Sequence, residues 1–328
     1  MSRQSAASCE PHLGEPISSE PISIVTACDE NYVRAAAVAL VSAAASVGSR
    51  HELNLYVLDG GVSDGSKAKL EKSCARFGRA VRWLTPDLHA IRDLPVSHHV
   101  SQSTYLRILL AELLPAKVSR VIYLDADVVV VRNLAELWAT PVEDVYCGAV
   151  QDAFLPVLDP AVAFDHPLQC QVASNQDSRP IANYPELGLS GEMPYFNAGI
   201  MLVNVARWRR ERVAARALDC LRTNARHVRY WDQYALNVLC AGQWKKLDAR
   251  WNQSSDVFQL PSWQRSHYNV GEFWQVRRDP WIVHFNNLPK PWDKDCVHPF
   301  RGLFFQHVEQ TAWADRQQES QAGLSRAA

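Results

Sequence analysis

The chain has 328 residues, 47 % of them apolar, and a formal net charge of −1 at neutral pH. A balance this close to neutral creates no long-range field and argues against nucleic acid or another polyanion as partner. The length allows one large core or two small ones.

Residues 1–20 are small, polar and proline-containing, and are expected to form a disordered leader. They show no charged segment followed by an apolar run, the mark of a signal peptide. Ile22 to Ala27 is apolar and β-branched and predicts a first strand, stopped by Cys28-Asp29-Glu30-Asn31. Tyr32 to Val47 is alanine-rich with apolar residues on a helical period. His51 to Leu58 predicts a second strand closed by Asp59-Gly60-Gly61, Ser66 to Phe77 a helix, and Ala80 to Leu84 a third strand. This alternation is that of an α/β fold with an open, mostly parallel sheet and helices on both faces.

Tyr105 to Leu114 predicts a further helix. Val121-Ile122-Tyr123-Leu124 is apolar throughout, as a central strand covered on both faces should be. It runs into Asp125-Ala126-Asp127, at the carboxyl end of a strand, where open α/β sheets bind ligands. Phe154 to Met193 carries five prolines and no period, and a loop of that length usually covers or builds a site. Tyr195 to Val205 returns to strand character. Trp208 to Leu221 reads as an amphipathic helix whose arginines face water, and Tyr230 to Leu239 as a helix with Asp232 and Gln233 in its first turn. Trp281 to Trp292 is the last informative stretch; Pro299 to Val308 predicts a short helix, and the polar residues after it are expected to fray. No uninterrupted apolar run is long enough to cross a bilayer.

Eight cysteines occur without a CxxC pair, which predicts free thiols in a reducing cytosol and a cytoplasmic protein. Eleven tryptophans serve either packing or sugar docking, and composition does not separate the two.

Asp125 and Asp127 stand two apart on a segment expected to be extended, so both carboxylates can reach one hard cation, Mn²⁺ or Mg²⁺, whose shell a diphosphate could complete. The plain alternative is two solvated loop aspartates. A phosphatase of the haloacid-dehalogenase type would use the same string, but it needs a downstream acidic pair that this chain lacks. His284 follows another apolar run and could join the two carboxylates, since Mn²⁺ accepts mixed nitrogen and oxygen ligands. Alone, it would be a satisfied core histidine. Lys290, six residues on, suits a phosphate. Asp29, Asn31 and Tyr32 follow the first strand, where they could meet a uracil or ribose or simply cap the next helix. No GxGxxG or GxxxxGK[ST] is present, so dinucleotide and P-loop readings lack support.

Six ordered segments are together similar to glycosyltransferase family 8, which includes bacterial lipopolysaccharide galactosyl- and glucosyltransferases and glycogenin. ACDENY (27–32) resembles the uridine loop, STYLRILL (103–110) the arginine-bearing helix and YLDADVVVVRNLAELW (123–138) the metal block. YFNAGIMLVNVARWR (195–209) resembles the donor-sugar strand, while WDQYALNVL (231–239) and HFNNLPKPW (284–292) resemble the last two signatures. The resemblance implies a GT-A-type domain over 21–300, with the variable loop 154–193 and a C-terminal helix and polar tail at 301–328. It implies a retaining transferase of hexose, galactose or glucose, from a UDP-sugar.

Under it, Asp125, Asp127 and His284 would hold Mn²⁺ (or Mg²⁺). Ala27, Asp29, Asn31 and Tyr32 would hold uracil and ribose. Arg107 would approach the phosphates or the sugar, and Lys290 the diphosphate. Leu124 and Ala126 border the donor site, and Asp152, Asn197, Ala198, Asp232 and Gln233 would line the hexose. Gln233, Asp232 and Asp152 are the catalytic candidates. Gln233, on the donor's far face, is a poor nucleophile, so same-face attack with UDP phosphate as base is favoured over a covalent intermediate. Asn287 stands where the family usually has glycine, and asparagine tolerates the left-handed geometry expected there. Two other readings are an idle UDP-sugar-binding scaffold and a self-glucosylating primer, for which Tyr184 in the variable loop is a candidate acceptor. The resemblance leaves the acceptor, a glycan, lipid-linked or small molecule, unidentified; the C-terminus has few basic residues, which predicts little membrane attachment.

Overall fold

The computed structural model describes residues 20–49, 51–96, 101–163 and 179–314. The expected leader up to residue 19, the centre of the variable segment, the tail beyond 314, Cys9 and Cys170 lie outside them. The strands are β1 (Ile22–Cys28), β2 (Leu53–Asp59), β3 (Val81–Leu84), β4 (Arg120–Leu124) and β5 (Val128–Val130). Then follow β6 (Cys147–Gln151), β7 (Phe196–Asn204), β8 (Lys245–Lys246), β9 (Gln253–Ser254) and β10 (Ile282–His284).

Seven of them form the main sheet in the order β3-β2-β1-β4-β7-β6-β8. β1 runs parallel to β2 and β4, β2 to β3, and β6 to β8, while β7 is antiparallel to both its neighbours. The expected mostly parallel α/β sheet is present. Its two faces carry separate apolar clusters, one under the Val33–Val47 helix and one under the helices Val213–Thr223 and Trp231–Cys240. β1 and β4 need apolar residues on both sides for that reason, and every residue of β1 is buried. A second sheet, β5-β10-β9, was not expected from the sequence. β10 is antiparallel to β5 and parallel to β9, so the chain after Asp127 is stitched directly to the strand that ends in His284.

Several helices differ from expectation. Tyr105 to Leu114 is mostly a 3-10 helix, Gln102–Leu109, followed by a short α-turn, Leu110–Leu113. In a 3-10 helix side chains three apart eclipse, so Thr104 and Arg107 face the same way. The predicted Trp208 to Leu221 helix is two helices, Val205–Arg210 and Val213–Thr223, broken at Arg212 with φ 51°. Its arginines do not all face water. Arg209 donates to the carbonyls of Ala111, Leu114, Pro115, Ala116 and Val118, satisfying acceptors that the Leu110–Leu113 turn leaves open. The Arg301–Val308 helix buries Phe304 against Phe285 and the first long helix. The cysteines at 28, 74, 147, 220, 240 and 296 are free thiols.

Candidate active site

A pocket of about 490 Å³ opens beyond the carboxyl ends of β1 and β4. Of the residues singled out in the sequence, Ala27, Asp29, Tyr32, Arg107, Asp125, Ala126, Asp127, Asp152, Asn197, Asp232, Gln233, His284 and Lys290 line it. Asn31, Leu124 and Ala198 do not. Leu124 and Ala198 are fully buried, and Asn31 is exposed with its N–H on Asp29 Oδ1.

Asp125 to Asp127 is a turn between β4 and β5, not the extended segment expected, and its start is held by Asp125 N donating to Gly199 O at 2.8 Å. Each carboxylate is held most tightly through one oxygen, Arg107 Nη1 reaching Asp125 Oδ2 only at 3.4 Å. Asp125 Oδ1 accepts from Tyr123 Oη at 2.8 Å and meets Arg107 at 2.9 Å; Asp127 Oδ2 meets Lys290 Nζ at 2.6 Å. The other oxygens turn toward His284, whose Nε2 is 3.6 Å from Asp125 Oδ2 and 3.4 Å from Asp127 Oδ1. The imidazole is oriented from behind, with Nδ1 2.9 Å from Asn252 Oδ1. One ligand atom from each of the three residues lies within 4.8 Å of the others. Two carboxylate oxygens and an imidazole nitrogen held by a hydrogen-bonded partner form a set that a divalent cation with mixed preferences accepts. Burial alone would raise the Asp127 carboxyl, but Lys290 and His284 beside it hold it well below the usual carboxylate range. It is therefore ready as an anionic ligand.

Gly199, on β7, forms the floor of this group. A Cβ there would lie 2.3 Å from His284 Cε1 and 2.8 Å from Asp125 Oδ2. Neither neighbour can yield, because Asn252 fixes one and Tyr123 and Arg107 the other. Gly199→Ala should therefore weaken the affinity of this group for a divalent cation by about 10- to 100-fold, the range for disturbed ligand orientation. A metal titration read by quenching of tryptophan fluorescence checks this, and an affinity equal to that of the parent would overturn it.

Arg107 is the charged hub behind the ligands. It pairs with Asp125 at 2.9 Å and Asp232 at 2.7 Å, donates to Ala198 O at 2.7 Å and stacks over the Tyr123 ring. Thr104, on the same face of the 3-10 helix, donates to Asp232 Oδ1 at 3.0 Å. Burial outweighs the arginine at Asp232 and pushes its carboxyl up to about 6. Beside it, Gln233 Oε1 accepts from Ala198 N at 2.9 Å while its amide donates to Asp152 Oδ2 at 3.4 Å. Asn197 donates to the same oxygen at 3.1 Å, and the N–H groups of Phe154 and Leu155 hold Asp152 Oδ1. At the other end, Asp29 Oδ1 takes the N–H groups of Asn31 and Tyr32, while Oδ2 accepts from Ser101 Oγ at 2.6 Å. Asp29 thus caps the turn and also faces the pocket.

Asn252, Gly199 and Asp256 belong to this neighbourhood and were not singled out in the sequence. Asn287 has no left-handed backbone, since the positive-φ residues other than glycine are Arg212 and Trp231 among those described. Its amide instead donates to Asp256 Oδ1.

Residues 23–296 match the profile of glycosyl transferase family 8. General stress protein A of Bacillus subtilis is 28 % identical over 302 residues, covering 90 % of this chain and 95 % of its own. Lipopolysaccharide 1,2-glucosyltransferase of Escherichia coli K12 is 23 % identical, covering 90 % of this chain and 80 % of that one. Among solved structures, the galactosyltransferase LgtC in complex with donor and acceptor sugar analogs superposes with a TM-score of 0.70 at 24 % identity, over 88 % of this chain and 96 % of that one. The fold is therefore of the GT-A type.

Proposed function

The chain belongs to glycosyl transferase family 8 and is a hexosyltransferase, and we propose from that premise that it moves galactose or glucose from a UDP-sugar to an acceptor hydroxyl with retention of configuration. The observation that carries this reading is the convergence of Asp125 Oδ2, Asp127 Oδ1 and His284 Nε2 inside the pocket. Asp125, Asp127 and His284 would hold Mn²⁺, which when bound supplies positive charge to a diphosphate leaving group. Lys290 adds a second cation beside it, and Arg107 keeps the Asp125 carboxylate oriented.

Among the described residues the far wall offers no free nucleophile, since Asp232 is paired with Arg107 and accepts from Thr104. Gln233 is a neutral amide held at both ends, and Asp152 is held by four donors. Both groups are arranged to hold sugar hydroxyls in place, which favours same-face attack with the leaving phosphate as base over a covalent intermediate. Phe154, Leu155, Tyr230, Trp231 and Leu288 form the apolar part of the wall, where an acceptor ring would rest. The complete ligand group speaks against an idle scaffold. Tyr184 does not line the pocket, and its hydroxyl donates to Asp159, so the self-glucosylating reading gains no support. No described helix is long and apolar enough to cross a membrane.

Purified protein given UDP-glucose or UDP-galactose should release UDP slowly with Mn²⁺ and not with EDTA. Release that is equal in the two conditions would sink the metal-dependent reading.

A further inference from the structure

Asp256 lies at the edge of the pocket in the short 3-10 turn Ser255–Phe258, directly after β9. Its carboxylate accepts three side-chain hydrogen bonds of 2.6 Å each, from Ser254 Oγ, Asn286 Nδ2 and Asn287 Nδ2. Asn286 is gripped a second time, its Oδ1 accepting from Ser255 N at 2.8 Å. Ser255 Oγ donates to His284 O at 3.2 Å. The two asparagines lie in the turn that joins His284 to Lys290. Lys290 Nζ donates to the carbonyls of Phe285 at 2.7 Å and Asn286 at 3.1 Å, so the backbone anchored by Asp256 is the one that steadies the ammonium against Asp127.

We propose that Asp256 is a positioning residue for the nucleotide end of the donor: acting through Asn286 and Asn287, it fixes the 285–290 turn and so presents Lys290 and His284 ready-placed. The chemistry requires a carboxylate. It is an acceptor at both oxygens and takes one asparagine amide on each, whereas an amide at 256 would oppose an N–H₂ to an N–H₂. Asn287 contributes a tether that a glycine at the same position would lack. Charge-assisted bonds of this kind are the strong ones, and they preorganise the turn before any ligand arrives.

The proposal rests on the donor reading above, and the test separates the two. UDP is titrated calorimetrically, with Mn²⁺ present, into the parent, Asp256→Asn, Asn287→Ala, the double variant and Lys290→Ala. Asp256→Asn keeps the volume, and it should weaken UDP by about tenfold, as a lost charge-assisted bond does. Asn287→Ala should do the same, and the double variant should be no weaker than the worse single one, because the residues act as one unit. Thermal unfolding of each variant shows whether binding was lost from a folded protein, which a merely structural role would not produce. If Asp256→Asn does not fold, Asn287→Ala, with a half-buried side chain on the turn, decides the matter alone. Parental UDP affinity in Asp256→Asn or Asn287→Ala, beside a weakened Lys290→Ala, overturns the clamp, as do losses that simply add. Parental affinity in Lys290→Ala would instead overturn the donor reading.

Discussion

Asp125→Ala should lower Mn²⁺-dependent UDP release by roughly a hundred- to a thousandfold, the usual cost of removing one preorganised group from charge stabilisation in an active site. Asp125 has two jobs, one on each oxygen. Oδ1 is held by Arg107 at 2.9 Å and by Tyr123, while Oδ2, which Arg107 meets only at 3.4 Å, faces His284. Alanine deletes one of the three converging ligand atoms and also frees the Arg107 guanidinium to move. Asp125→Asn separates the two effects. It keeps the volume and an oxygen for the Tyr123 hydroxyl but removes the charge that a cation needs. If the ligand role dominates, both variants should lose Mn²⁺ affinity together with turnover. The Asp125 side chain is 21 % exposed, so its replacement should cost less stability than that of a wholly buried partner. Turnover of Asp125→Ala within a few-fold of the parent, at matched Mn²⁺, would remove the triad from the reaction.

How much of this was legible in the sequence depends on how local the cause is. The alternation of strands and helices up to β3 is written in side-chain periodicity, which is a property of neighbours along the chain. β4 was legible as a central strand because both faces of Val121 to Leu124 are buried and those positions must be apolar. The same physics hides direction. The Ala198–Val203 stretch of β7 is as buried as the apolar part of β4, and nothing in such a run says that it lies antiparallel between β4 and β6. β5 was not predicted: the four valines directly after the Asp pair have strand propensity, but such a run does not say which strand it will pair with. The 3-10 form of Gln102–Leu109 answers to tertiary demand: Thr104 and Arg107 must reach the same Asp232. Local propensity says nothing of that.

The site divides in the same way. Asp125 and Asp127 announce themselves because they follow a buried strand at the end where ligands bind. Gln233 and Asp152 were placed by resemblance, and the pocket brings them together. Asn252, Gly199 and Asp256 carry no local signal. Their importance lies wholly in what they touch, His284 in the first two cases and the 285–290 turn in the third. Arg107 was legible as a site residue, but not as the centre of an ion triad. A sequence shows a charge and not the two carboxylates that hold it.

That triad leads to the second large effect. Arg107→Met should destabilise the protein by about 3–5 kcal/mol at pH 8, the cost of stripping a buried charge of its partner. The methionine fills most of the space and leaves Asp232, whose side chain is 4 % exposed, without its cation. The loss should depend on pH, and its sign follows from the carboxyl. Burial already pushes Asp232 up to about 6 in the parent, with Arg107 opposing that rise, so the variant's value must be higher still. A carboxyl whose folded value lies above its unfolded one is stabilising to the folded state at low pH, and this contribution is lost as pH rises through the folded value. The parent has spent its share by a little above pH 6, while the variant goes on losing stability beyond that point. The deficit should therefore be smallest near pH 5 and reach its full size by pH 8. Urea unfolding at the two pH values measures it. A deficit independent of pH would assign the cost to lost packing over Tyr123, and no deficit at all would mean that solvent, not Arg107, neutralises these carboxylates.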